Sequence, residues 1–168
     1  MFGSPAKNIN YLKLGEGMKV ADLGAGNGFY LKALSQKVGN SGKVYAVEVQ
    51  KELVLKMEDD IKHFGLSNVS IIWGDIERHE GTKILSNSID AVLLSNVLFQ
   101  AEDKFGVVDE IKRILKNNGE VLVLEQNRDN KNYMKKGEVE KLFTKNNFIK
   151  SEDIPISSSQ YGIIFKYE

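Results

Sequence analysis

Residues 20–30 read VADLGAGNGFY: an apolar run reaches Asp22 and Leu23, then Gly24, Gly26 and Gly28 follow before a helical pattern begins. Three alternating glycines let a chain turn sharply after a strand, approach a ligand with its backbone and aim helix N-terminal amides at it. A strand-to-helix turn without a ligand needs fewer of them. The spacing is G-x-G-x-G, and Phe29 stands where the dinucleotide fingerprint G-x-G-x-x-G requires its third glycine. Asp22, just ahead of the glycines, repels a pyrophosphate and suits a ligand with a positive amino group.

Outward from this loop, short β-branched runs alternate with helical stripes, the pattern of βαβ units around a parallel sheet. Strands are predicted at 20–23, 44–49, 69–73, 91–94, 120–124, 148–154 and 161–166. Most are rich in Val, Ile and Leu, as strands covered on both faces are. Leu53, Val54, Met57, Ile61 and Phe64 form one helical stripe, Val107, Val108, Ile111, Ile114 and Leu115 a second, and Leu31, Leu34 and Val38 a shorter third. Gly39 to Gly42, Gly65 and Asn117-Asn118-Gly119 punctuate the helix ends. Residues 155–160 are too few for a parallel crossover, so the last two strands are expected to form an antiparallel hairpin at the sheet edge.

Two more carboxylates fall at predicted strand ends. Glu48 lies about twenty residues beyond the glycine loop, where a carboxylate can accept from the vicinal hydroxyls of a ribose. Asp75, in IIWGDIE, follows the third strand and would share the C-terminal edge of the sheet with Asp22 and Glu48. There it can accept from an adenine amino group while Val49 and Ile76 cover the ring; its plain alternative is a helix N-cap.

With these residues in place, the chain resembles the class I methyltransferases over essentially its whole length, and among them the small proteins of the type 11 and type 25 group. VADLGAGNG resembles their first motif, VYAVEVQ the acidic second strand, GDI the adenine-contacting motif and IDAVLLSNVLF the fourth strand. The resemblance implies an α/β fold: a seven-stranded, mostly parallel sheet of order 3-2-1-4-5-7-6, strand 7 antiparallel, in a three-layer αβα sandwich. It implies S-adenosyl-L-methionine as cofactor, held by Asp22, Gly24, Ala25 and Gly26 at its methionine part. Glu48 would meet the ribose, Val49, Gly74, Asp75 and Ile76 the adenine, and Ser95 and Asn96 the side near the methyl group. The Asn-Pro-Pro-aromatic motif of nucleobase amino methyltransferases is absent, because Val97, Leu98 and Phe99 follow Asn96.

Composition narrows the chemistry. At 168 residues, 42% hydrophobic and 27% charged, the chain is expected to form one methyltransferase domain: a lead-in at 1–19, a cofactor-binding core at 20–125 and a C-terminal helix and hairpin at 126–168. Basic and acidic residues balance at 23 each, so no global field draws it to nucleic acid or an anionic membrane. The lysine-rich stretch 128–150 is interrupted by Asp129, Glu138 and Glu140 and reads as a solvated face. Cysteine is absent, which excludes disulfides, thiolate metal sites and a cysteine nucleophile. The apolar stretches are too short and interrupted to span a bilayer, and MFGSPAKNI lacks a long apolar segment; a cytoplasmic protein is expected.

An activated methyl group needs chiefly an aligned acceptor and the exclusion of water, so a general base is optional. Candidates on the expected edge are Tyr11, Glu125 and the histidines, with Gln100 as a positioning group. His63 and His79 show no paired spacing and read as surface residues rather than metal ligands. With nineteen residues ahead of the first strand, an open acceptor site is expected, completed by residues 8–11, a second subunit or a large partner. Two rival functions stand beside the transferase: a non-catalytic cofactor-binding partner or sensor, and an NAD-linked oxidoreductase, which lacks its fingerprint.

Overall fold

Every predicted strand joins a single sheet in the computed structural model, which describes residues 4–128, 130 and 132–168. The strands are β1 (Lys19–Leu23), β2 (Lys43–Glu48), β3 (Val69–Trp73), β4 (Ile89–Ser95), β5 (Leu115–Gln126), β6 (Phe148–Ser157) and β7 (Gln160–Tyr167). Their order is β3-β2-β1-β4-β5-β7-β6. β7 runs antiparallel to β5 and β6 and the remaining neighbours are parallel, as the resemblance implies. The helices are α1 (Pro5–Ile9), α2 (Leu31–Val38), α3 (Lys51–His63), α4 (Lys104–Ile114) and α5 (Lys136–Thr144). None of the helices among the described residues is long and apolar enough to cross a membrane.

Alternation along the strands builds two cores. Val20, Leu93 and Leu122 pack with Ile9, Leu34 and Met57 under α1, α2 and α3. Ala21, Val92 and Val121 face the other way, onto Val107, Ile111 and Phe143 of α4 and α5. Helices on both faces explain the uniformly apolar centres of β1, β4 and β5. Under α5, the Phe143 ring stacks on Phe165 at 4.4 Å and meets Phe148 edge-on at 5.3 Å.

Two expected boundaries are corrected. Asn117-Asn118-Gly119 does not end the fourth helix: Leu115 is already extended, fully buried and paired with Ile89. Asn118, at φ 63°, forms the bulge between that pair and the regular ladder from Glu120 onward. Phe64 closes the predicted stripe of α3 but is 54% exposed, because the helix ends at His63 and the chain turns through Gly65 at φ 64°.

The connection from β3 to β4, residues 74–88, consists of turns and is fastened to α4 by a buried carboxylate. Glu110 accepts from Thr82 N (3.1 Å), Thr82 Oγ1 (2.6 Å) and Glu80 N (3.0 Å), and pairs with Arg113 at 2.7 Å. Burial alone raises its carboxyl, but these hydrogen bonds, Arg113 foremost, outweigh burial and bring it down to about 2.

Candidate functional site

Between β1 and β4 the strand order reverses, and the connections leave toward opposite faces of the sheet. In open α/β sheets such a switch point opens a crevice beyond the carboxyl ends of the strands. Here the crevice has two lobes of about 310 and 350 Å³, joined through Gly24, Gly26, Asn96 and Gln100. The first is lined by Glu48, Val49, Gly74, Asp75 and Ile76, the second by Asp22, Ala25, Phe29, Tyr30 and Ser95. All the residues singled out above for a cofactor thus come together along one crevice.

The glycine loop is shaped by close approach. Gly24, Gly26 and Gly28 have φ of 72°, 57° and 75°, and the Gly24 and Ala25 amides donate to Val47 O at 2.9 and 3.0 Å. A Cβ on Gly24 would lie 2.6 Å from Val97 Cγ2, so this glycine lets the β4 side close on the loop. A Cβ on Gly26 would meet nothing within 4 Å.

The three carboxylates sit in different states. Asp22 is 2% exposed and its Oδ2 has no hydrogen-bond partner among the described residues. Burial, and then the nearby Glu48 charge, push its carboxyl up to about 7. Glu48 is also buried, yet it is well satisfied: Oε2 accepts from Gly26 N at 2.9 Å, and Oε1 from Val49 N and Gln50 N at 3.0 Å. Of about four lone-pair positions on a carboxylate, one is left, so accepting two hydroxyls requires displacing one of these amides. Asp75 is held by its own turn, Oδ1 accepting from Glu77 N (3.0 Å) and Oδ2 pairing with Arg78 Nε (3.0 Å). It lines the crevice, and it caps a turn instead of the helix that the alternative reading expected, because residues 74–88 form no helix.

Around Asp22 lie groups that the sequence reading did not single out. Tyr30 is buried beside it, its hydroxyl accepting from Asn8 Nδ2 at 3.0 Å, and burial raises its pKa. Phe29 stands 55% exposed at the mouth, edge-on to Tyr30 at 5.1 Å. Their positions directly after the third glycine were the available signal. Asn8 reaches the site only through Tyr30, Tyr11 does not line the crevice, and the Asp22 lobe is open at Phe29 among the described residues.

The candidate bases separate cleanly. Gln100 lines both lobes, and its Nε2 donates to Asn96 O at 2.8 Å. His63 and His79 are exposed and line neither lobe. Glu125 is 1% exposed and lines neither, which removes it as a group that touches an acceptor.

The sheet order and the glycine-bearing crevice at its switch point define the class I, Rossmann-like methyltransferase fold. A family model described as a methyltransferase domain matches residues 14–167, and the chain belongs to that family. Arsenite methyltransferase of Mus musculus is 36% identical over 112 residues, covering 63% of this chain and 30% of that protein. Demethylmenaquinone methyltransferase of Geobacillus sp. is 30% identical over 119 residues, covering 71% of this chain and 48% of that protein. The chain therefore spans about a third of the first relative and under half of the second. A crystal structure of a SAM dependent methyltransferase from Aquifex aeolicus has the same fold, with a TM-score of 0.91 at 24% identity, covering 99% of this chain and 91% of that one.

Proposed function

We propose that this protein binds S-adenosyl-L-methionine in the crevice and transfers its methyl group to an acceptor presented at the Asp22 lobe. The carrying observation is Asp22: a desolvated carboxylate with an unpartnered oxygen, aligned with a glycine loop, is matched by a cationic ligand and opposed by an anionic one. The open space over Gly26 fits the same ligand, and Glu48 keeps one acceptor position for a ribose hydroxyl.

In this reading Asp22, Gly24, Ala25 and Gly26 hold the methionine part and Glu48 the ribose, while Val49 lies against the adenine. Gly74, Asp75 and Ile76 border the adenine. Ser95 and Asn96 border the reacting end. When bound, the cofactor would supply a sulfonium-activated methyl group to an acceptor aligned with it. The protein's share is to neutralise the cofactor's positive end at Asp22, to cover its rings with Val49 and Ile76, and to keep the reacting end between Tyr30, Asn96 and Gln100. Asp22 is the acid lining that lobe among the described residues and is taken up by the cofactor's positive end, so this reading assigns no general base to it. Residues 1–168 act as one methyltransferase domain in the cytoplasm, and the open mouth at Phe29 leaves space for a large acceptor or a second chain.

Calorimetry with S-adenosyl-L-methionine, S-adenosylhomocysteine and NAD tests the cofactor. NAD binding without a response to S-adenosylhomocysteine would sink the proposal. A labelled-methyl screen against metabolites, RNA and protein extracts then separates a transferase from a non-catalytic sensor, which would bind and transfer nothing.

A further inference from the structure

We infer that Glu125 is a positioning residue of the crevice: through the Val97 and Leu98 amides it fixes the turn that carries Asn96 and seats Val97 against Gly24. This rests on the cofactor reading above.

Residues 97–101 form a turn directly after β4, with Val97 O accepting from Gln100 N (3.0 Å) and Ala101 N (3.2 Å). The first amides of such a turn need acceptors, and a preceding asparagine is normally the residue that supplies one. Asn96 does not. It sits at φ 57°, its Nδ2 reaches only Ser95 Oγ at 3.4 Å, and its Oδ1 is buried without a partner among the described residues. The cap comes from the neighbouring strand: Glu125 Oε1 accepts from Val97 N at 3.0 Å and Leu98 N at 2.8 Å.

Borrowing the cap across the sheet leaves the Asn96 side chain uncommitted at the place where the two lobes meet. It also fixes the height of Val97, whose methyl group occupies the space a Gly24 side chain would need. The Asn96 amide is tied to the same strand, donating to Leu124 O at 2.7 Å, so the crevice wall is referenced to β5 at consecutive residues. A local cap at position 96 would satisfy the same amides and remove the free amide oxygen.

The test compares Glu125→Gln, whose amide oxygen accepts the same two bonds, with Glu125→Leu, which accepts none. At a temperature where both are folded, S-adenosylhomocysteine affinity is expected within about threefold of the parent for Glu125→Gln and lowered about tenfold or more for Glu125→Leu. In ligand-free protein, the Val97 and Leu98 amides should keep their hydrogen-exchange protection in Glu125→Gln and lose it in Glu125→Leu. Parental affinity in a destabilised Glu125→Leu would overturn the inference, since that variant would then report stability alone. Loss in Glu125→Gln equal to that in Glu125→Leu would overturn it as well. If the parent does not bind S-adenosylhomocysteine, the cofactor reading fails and the amide protection still decides the role of Glu125. If Glu125→Leu does not fold, retained protection at both amides in Glu125→Gln supports the role and its loss refutes it.

Discussion

Replacing Asp22 by asparagine should stabilise the ligand-free protein while weakening the cofactor site. Asp22 is 2% exposed, and its carboxyl is pushed from 3.8 to about 7, first by burial and then by Glu48. Holding the ionised form against such a displacement costs the folded state about 4 kcal/mol once the pH exceeds 7. An amide removes that charge but still leaves a polar group without a full set of partners, which offsets about 1–2 kcal/mol. The expected net gain for Asp22→Asn is therefore about 2–3 kcal/mol at pH 8, or roughly 5–10 °C in a chain of this size. The sign with pH follows from a folded-state pKa above the unfolded one. The parent suffers no penalty below pH 3.8 and loses stability progressively as the pH rises toward 7, so the variant's advantage should shrink on acidification and give way to the amide cost of about 1–2 kcal/mol. S-adenosylhomocysteine affinity should meanwhile fall by about ten- to a hundredfold, because a charge-assisted contact is lost. Thermal melting from pH 5 to 8 with parallel calorimetry reads both. A variant that melts no higher than the parent at pH 8, or by a margin independent of pH, would refute the electrostatic account of Asp22.

In the parent, affinity for S-adenosylhomocysteine should climb by up to about tenfold per pH unit below 7 and level off above it, because binding a positive amino group favours ionised Asp22; Asp22→Asn should give a flat profile in calorimetry. Glu110→Gln should cost about 3 kcal/mol in urea unfolding, since it leaves Arg113 partly buried without its counter-charge. Because the Glu110 carboxyl is held down at about 2, its contribution is present above its ordinary 4.5 and lost as the pH falls through about 2, so the variant and parent should differ least in acid. Gly24→Ala combines a positive φ with a Cβ 2.6 Å from Val97, and should lower both the melting temperature and cofactor affinity; an unchanged affinity would show that the loop does not set the crevice. Phe143→Ala removes a ring packed against Phe148 and Phe165 and should cost about 3–5 kcal/mol in the same unfolding assay.

The parts legible in the sequence were those governed by local periodicity and by glycine. Continuous apolar runs announced strands covered on both faces, and the short 155–160 spacer announced the hairpin. The parallel ladders from β1 to β5 then bring Asp22, Glu48, Asp75 and Ser95 to one edge without any one of them being in local contact with the others. Where the reading failed, a tertiary contact overrode a local preference. Asn118 and Gly119 suit a helix end, but pairing with Ile89 drew Leu115 into the sheet. Tyr30 reads in the sequence only as the end of the glycine loop, and the docking of Asn8 from α1 helps to hold it as a wall of the site. Glu125 read as a strand-end carboxylate open to an acceptor. Its carboxylate is engaged by a turn 27 and 28 residues earlier, which no local pattern reports.

The two edges of the sheet show which of these carboxylates matter for ligands. At the amino end of the parallel strands, Asp90 accepts from Lys19 N at 2.8 Å and pairs with Lys116 at 2.6 Å, and Glu120 accepts from Lys13 N at 3.1 Å. Those acids are balanced by the chain itself and bind it together. At the carboxyl end, Asp22 and Glu125 are more deeply buried than Asp90, each keeps one oxygen without a partner among the described residues, and both are pushed up to about 7. At this end Glu48 is satisfied by three backbone amides, so the unpartnered oxygens belong to Asp22 and Glu125 among the described residues. Desolvated, unsatisfied carboxylates are costly, and their confinement to the edge with the glycine loop and the switch point places the cost where a ligand can repay it. Of the two, Asp22 opens to the crevice and can be repaid directly, whereas Glu125 is reached only through the turn it holds.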